Sequence, residues 1–193
     1  MNVYLRQFGT AFRLLGLCTI LLGVLYPLAM FGVGQAVASR QANGSIEQLN
    51  GQAAASTLIA QAVPDQENRF FFPRPSAVKW DPSSSSATNL GPSDPALAKA
   101  ESDARAAVAA REGVADAAVP IDAVTSSGSG LDPDISPAYA ELQVPRVAKA
   151  TGLSTDQVEK LVADATNNPV LRLLGQPAVN TTKLNLAIAG LVK

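Results

Sequence analysis

From Leu14 to Ser39 the chain carries no charged side chain, and the stretch Leu14-Leu15-Gly16-Leu17-Cys18-Thr19-Ile20-Leu21-Leu22-Gly23-Val24-Leu25-Tyr26 is almost wholly apolar. A helix needs about 20 such residues to cross the hydrocarbon of a bilayer. The pattern therefore predicts a tail over residues 1–13, a transmembrane helix over 14–38 and a domain over 39–193. Arg6 and Arg13 precede the run, no Asp or Glu occurs before Glu47, and Arg40 is the nearest charge after it. That bias predicts a cytoplasmic N-terminus and an extracytoplasmic domain. Ala36-Val37-Ala38 before Ser39 has the small-x-small form of a signal peptidase site, but the apolar run exceeds the roughly 7–15 residues of a signal core. A lipid anchor at Cys18 is disfavoured by bulky Leu17 immediately before it. Pro27 is compatible with a span whose neighbours re-satisfy the freed backbone, which points to protein around it. Gly9, Gly16 and Gly23 recur at heptad spacing and would let another helix approach, unless they reflect only the general frequency of glycine in spans.

Beyond Arg40 the pattern shortens. Asn50-Gly51 between short mixed segments predicts a β-hairpin, because both residues tolerate positive φ. Ala53 to Val63 is rich in helix formers, and Arg69-Phe70-Phe71-Phe72-Pro73-Arg74-Pro75 reads as a short strand ended by prolines, its phenylalanines serving core or membrane-near packing. Ser83 to Ser93 has the composition of a linker or an ordered loop. Asp94-Pro95 opens a helix running to about Arg111, with Gly113 as its stop. Val114 to Thr125 reads as short extended pieces broken by Pro120, and Ser126 to Pro133 as a second rich loop. Ser136-Pro137 opens a helix carrying Tyr139, Leu142, Val147 and Ala150. After Gly152, Ser154 and Gln157 form a capping box for a helix with the stripe Val158, Leu161, Val162 and Ala165, ending near Asn167-Asn168-Pro169. A last helix over about Thr182 to Leu191 presents Leu184, Ile188 and Leu191 on one face. No self-similar period is present. The expected class is α+β, helix-dominated, with one N-terminal transmembrane helix and a single extracytoplasmic domain.

Composition narrows the chemistry. Of 193 residues 47% are apolar but only 5% aromatic, so a soluble core must be light and built from Leu, Val, Ile and Ala. Such a core buries limited area, and partner contacts are expected to contribute to stability. A net charge of −1 with scattered bases gives no face for nucleic acid. Cys18 is the only thiol, which excludes an intrachain disulfide and a thiolate metal cage, and the chain has no histidine, which excludes a Ser-His-Asp hydrolase.

Gly128-Ser129-Gly130 invites a serine nucleophile or a phosphate cradle, but the spacing places neither Lys149 nor Lys160 beside Ser129 as a base, and a P-loop would need Gly-Lys-Ser/Thr opening a helix. A turn-rich loop is the simpler reading. Asp122, Asp132 and Asp134 could gather oxygen ligands for a hard cation, yet they form no twelve-residue calcium loop and Asp-Pro is a common turn; no metal is assigned. Gln143 and Arg146 lie three residues apart on one helical face, which contacts a partner or is solvated.

Four strings go beyond generic loop chemistry: Arg74-Pro75-Ser76; Asn89-Leu90-Gly91-Pro92-Ser93; Ser126-Ser127-Gly128-Ser129-Gly130-Leu131-Asp132-Pro133 with Ile135-Ser136-Pro137; and Gln143 with Arg146-Val147-Ala148. In this order behind one span they resemble the KdpC family, the C subunits of Kdp potassium-transporting P-type ATPases. The ending Leu174-Gly175-Gln176-Pro177-Ala178-Val179-Asn180, with Leu184-Asn185, is similar to that family's close. The likeness covers nearly the whole chain. It departs where Asp134 replaces the family's usual histidine after Asp132-Pro133, and where serines and Ala87 replace the usual glycines before Asn89, so a role that needs an imidazole there does not carry over.

The resemblance implies a non-catalytic accessory subunit of a high-affinity potassium uptake complex in the bacterial inner membrane. Its partners would be a potassium-channel-like subunit, an ATP-hydrolysing P-type subunit and a very small membrane subunit. It also implies a catalytic chaperone that raises ATP affinity, with Gln143 as the matching nucleotide contact and ATP as the only cofactor in question. The topology opposes direct contact, since an extracytoplasmic Gln143 cannot meet cytoplasmic ATP, and any effect would travel as a coupling free energy. The expected role is a cap on the outer face of the conducting subunit, with acidic loops biasing cations toward its entrance. An independent membrane-anchored binding domain is the competing class.

Overall fold

The computed structural model describes residues 3–168 and 175–192. Pro169, at the expected end of a helix, and Leu174, in the closing string, lie outside the described residues. The chain divides into two compact units, one ending at Ser45 and one beginning at Ile46.

The first unit is built on one continuous apolar helix of 35 residues, Val3–Val37. It comprises α1 (Val3–Ile20), a π-helical turn (Leu21–Leu25) and α2 (Tyr26–Val37). At 1.5 Å per residue it is about 52 Å long, against a hydrocarbon core of about 30 Å. The uncharged stretch that marks the span begins at Leu14, but the helix begins eleven residues earlier by residue number, at Val3. Charge interrupts hydropathy without interrupting helix geometry, so Arg6 and Arg13 sit on helical turns. The π turn answers Pro27, which has no N–H to give the carbonyl of Gly23. In the widened turn the Tyr26 N–H donates to the Leu21 carbonyl, five residues back. A short helix, α3 (Ser39–Ala42), follows, and the Gln35 and Asn43 amides exchange two hydrogen bonds at 3.0 and 3.2 Å.

The second unit opens with the expected hairpin. Strands β1 (Ile46–Leu49) and β2 (Gln52–Ser56) pair antiparallel around Asn50 and Gly51, both at positive φ. Ala53 to Ser56, read as helix formers, are therefore strand: cross-strand pairing overrides a modest helix propensity. The phenylalanine run also departs from expectation, since Phe70 lies in a bend and residues 71–75 have no regular structure and join no ladder. After the serine loop, Asp94 caps α4 (Pro95–Glu112) by accepting from the Ala96 N–H, and Gly113 closes it at φ 70°. Pro120 separates two 3-10 turns, Asp116–Ala118 and Ile121–Ala123, in place of the extended pieces expected there.

Ser136 caps α5 (Pro137–Thr151), which ends on left-handed Gly152, and the Ser154/Gln157 capping box opens α6 (Thr155–Asp164). Asn180 caps α7 (Thr181–Leu191). Three short strands, β3 (Asp134–Ile135), β4 (Thr166–Asn167) and β5 (Ala178–Asn180), form an antiparallel sheet in the order β3-β5-β4, pairing Ile135 and Thr166 with opposite edges of Val179.

The core lies where α5 packs against α4, α6 and β5. It is light as expected, but valine and alanine dominate it: Val108, Val144, Val147, Val158, Val162, Val179, Ala140 and Ala165 surround Phe71 and Tyr139, and Leu184 is its one fully buried leucine among the described residues. On α7, Leu184 and Ile188 are buried, whereas Leu191, on the same face but at the helix's last residue, is 60% exposed.

Candidate functional site

The loop strings meet in the fold. Arg74 reaches from the segment after the phenylalanines to Asp132, with Nη1 3.2 Å from Oδ2, and its Nη2 donates to the carbonyls of Thr125 and Ser126. The Pro75 carbonyl accepts from the Ser127 N–H. Ser76 Oγ donates to the Gly130 carbonyl at 2.6 Å and accepts from the N–H groups of Val78 and Trp80, and the Trp80 indole N–H donates back to the Arg74 carbonyl. Gly130 is required twice over: its φ is +70°, and a Cβ there would stand 2.6 Å from Val78 Cγ2 and 2.9 Å from the Ser86 carbonyl oxygen. The Ser129 carbonyl accepts from the Ser86 N–H and Ser85 hydroxyl, so the serine run clasps the second loop. Asn89, Gly91 and Pro92 are not drawn into this knot: the Asn89 amide turns back to the Ala87 carbonyl, and the Gly91 carbonyl accepts from the N–H of the α4 cap Asp94.

This geometry decides the chemistry of the glycine-serine loop. Ser129 Oγ accepts from the Leu131 N–H two residues on, and no lysine or carboxylate hydrogen-bonds it among the described residues. Gly128 sits on the loop with open space around it. The three aspartates are likewise occupied. Asp122 accepts from the Ser136 N–H and hydroxyl, Asp132 pairs with Arg74 and accepts from the Asp134 N–H, and Asp134 accepts from the Asn180 amide. Burial, and then the nearby Asp132 charge, raise the Asp134 carboxyl above the usual range. Among the described residues no group of three His, Cys, Asp or Glu side chains is arranged to hold a metal ion.

Gln143 and Arg146 belong to a second knot. Gln143 is fully buried; its Oε1 accepts from the Phe72 N–H at 2.7 Å and its Nε2 donates to the Phe72 carbonyl at 3.2 Å. Asn185 on α7 does the same for Phe71, accepting from its N–H at 2.7 Å and donating to its carbonyl at 2.9 Å. Arg146 donates through Nη2 to Gln143, through Nη1 to the carbonyls of Asn68 and Phe70, and through Nε to both oxygens of Glu112. Arg111 pairs with the same carboxylate, donates to the Tyr139 hydroxyl, and lies 3.9 Å from the centre of the Phe72 ring. Burial lowers the affinity of Arg146 for its proton and Glu112 opposes that; burial also raises the Tyr139 phenol.

Glu112 and Asn185 are the residues that sequence reasoning had not singled out as functional. A signal existed for Glu112, because an acid in the last turn of a helix opposes the macrodipole unless a cation holds it. The span glycines remain open to neighbours: a Cβ on Gly9 or Gly16 would meet nothing within 4 Å, and one on Gly23 only the Thr19 methyl at 3.8 Å.

A sequence model of the family described as KdpC, K+-transporting ATPase, c chain, matches residues 8–190, the apolar helix and the second unit together. The chain belongs to the KdpC family. Curated relatives agree along nearly their full length. A potassium-transporting ATPase KdpC subunit of Kineococcus radiotolerans is 48% identical over 95% of this chain and 93% of its own. One from Caulobacter sp. (strain K31) is 49% identical over 88% and 86%, and one from Sorangium cellulosum 46% identical over 96% and 98%. KdpC membership agrees with the resemblance carried by the loop strings, and all but one of these strings are tied into the two knots.

Proposed function

We propose that this chain is a non-catalytic accessory subunit of an ATP-driven potassium uptake complex in the bacterial inner membrane. The family match over residues 8–190 carries this reading, because it takes in both the membrane helix and the domain. Arg6 and Arg13 at the start of the helix, with no acid before Glu47, favour a cytoplasmic N-terminus and an extracytoplasmic domain. The domain caps the outer face of the potassium-conducting subunit, and the span packs beside its neighbours through the open face of Gly9, Gly16 and Gly23. The ATP-hydrolysing subunit and a small membrane subunit complete the assembly.

As a catalytic chaperone the chain raises ATP affinity from a distance. A direct contact at Gln143 would require its amide to leave Phe72 and Arg146, and would require nucleotide on the domain's side of the membrane. Indirect coupling needs neither, and couplings of about 1–3 kcal/mol are ordinary for such effects.

The test is deletion with complementation. A strain lacking the chain should fail to grow at micromolar potassium and recover with the plasmid-borne chain, and the tagged chain, at native expression, should bring down potassium-stimulated ATPase activity. Normal growth without it and purification of the chain alone would contradict the proposal and favour an independent anchored domain.

A further inference from the structure

The cleft between α5 and α6 takes no part in either knot. It measures about 520 Å³, with buried Val144 and Val162 as its floor and Pro137 and Pro145 as apolar walls. Glu141 on α5 and Glu159 on α6 stand along it, and no lysine or arginine lines it. Several other carboxylates of this unit form ion pairs, Glu112 with Arg146, Asp132 with Arg74, Glu67 with Arg69 and Asp103 with Lys99, whereas Asp65, Glu101, Asp116, Asp156 and Asp164 line no such cleft. Glu141 and Glu159 have no side-chain hydrogen bond or ion pair among the described residues. Pro145, lacking an N–H, cannot donate to the Glu141 carbonyl four residues back.

An occupant must therefore bring apolar atoms to the floor and positive donors to the rim. A long basic side chain supplies both, with its methylene stem on apolar surface and its cation in reach of carboxylates. We infer that this cleft docks a basic loop of another subunit of the membrane complex, one presenting a lysine or arginine flanked by small or apolar residues. The inference rests on the accessory-subunit reading and names the chemistry of the contact. Charge complementarity of this kind chiefly sets orientation and partner choice.

The full chain in its membrane complex provides the test. Benzoylphenylalanine placed at position 163, where Ala163 lines the cleft, is irradiated and the cross-linked peptide sequenced. Glu141→Lys with Glu159→Lys, and separately Glu141→Gln with Glu159→Gln, are purified with their partners at low and high salt. The cross-link should fall on an extracytoplasmic segment of a transport subunit carrying Lys or Arg. Charge reversal should lower co-recovery about tenfold at low salt and the neutral pair about threefold, with Trp80 fluorescence unchanged. If the reversed variant unfolds, the neutral pair decides. Co-recovery indifferent to both pairs of changes, or a cross-link to a second copy of this chain or to an acidic segment, would overturn the inference. Failure of the wild-type chain to bring down any transport subunit would sink the accessory-subunit reading and this inference with it, a result distinct from an intact assembly that ignores the cleft.

Discussion

A side-chain carboxamide can offer its N–H and C=O to a backbone much as a neighbouring strand would, and Asn185 and Gln143 do this for consecutive residues, Phe71 and Phe72. The phenylalanine run needs no ladder because two helices supply its partners. Gln143 also orients Arg146, which with Arg111 embraces the side chain of Glu112, itself fully removed from solvent. Truncation should be costly for that reason. Gln143→Ala leaves a buried N–H, a buried carbonyl and part of a guanidinium unsatisfied, and should destabilise the domain by about 3–5 kcal/mol, read as a lower denaturation midpoint of Trp80 fluorescence in the full chain. Unchanged stability with weakened nucleotide affinity of the complex would instead give Gln143 a direct role. Part of this was legible beforehand: Gln143 lies four residues from both Tyr139 and Val147, which places it on the buried stripe of its helix. What no spacing could reveal was its partner, 71 residues away.

At the scale of elements, the caps carried most of the information. Asp94, Ser136, Ser154 and Asn180 each accept from a backbone N–H of the helix they open, and Gly113 and Gly152 close theirs in the left-handed region. These are local interactions, so the helices were legible. Ser136 does more than cap, since its own N–H and hydroxyl hold Asp122. Ser136→Ala should cost about 1–2 kcal/mol in the same denaturation measurement, while Ser93→Ala, in the loop before α4, should leave the midpoint within about 0.5 kcal/mol. The three-stranded sheet was not legible because its strands are two or three residues long and pair across the chain, so no alternation accumulates in any one of them. The 3-10 turns beside Pro120 and the strand at Ala53 leave no clear sequence signal for a related reason: propensity is weak where tertiary pairing or a proline decides the backbone.

For the molecule as a whole, the described chain consists of one long apolar helix and one light domain. The loops of the resemblance are occupied in holding the domain together: Arg74 to Asp132, Ser76 to Gly130, Gln143 to Phe72. Indirect coupling also requires the domain to face away from ATP. The direct measurement replaces Cys18 with Ser, places a single cysteine at exposed Ser84, and exposes intact cells to a membrane-impermeant thiol reagent. Labelling in intact cells is the predicted result, confining any influence on nucleotide to coupling through the complex. Protection in intact cells, followed by labelling once the membrane is permeabilised and the same extent of labelling in denatured controls, would place the domain in the cytoplasm and contradict the account.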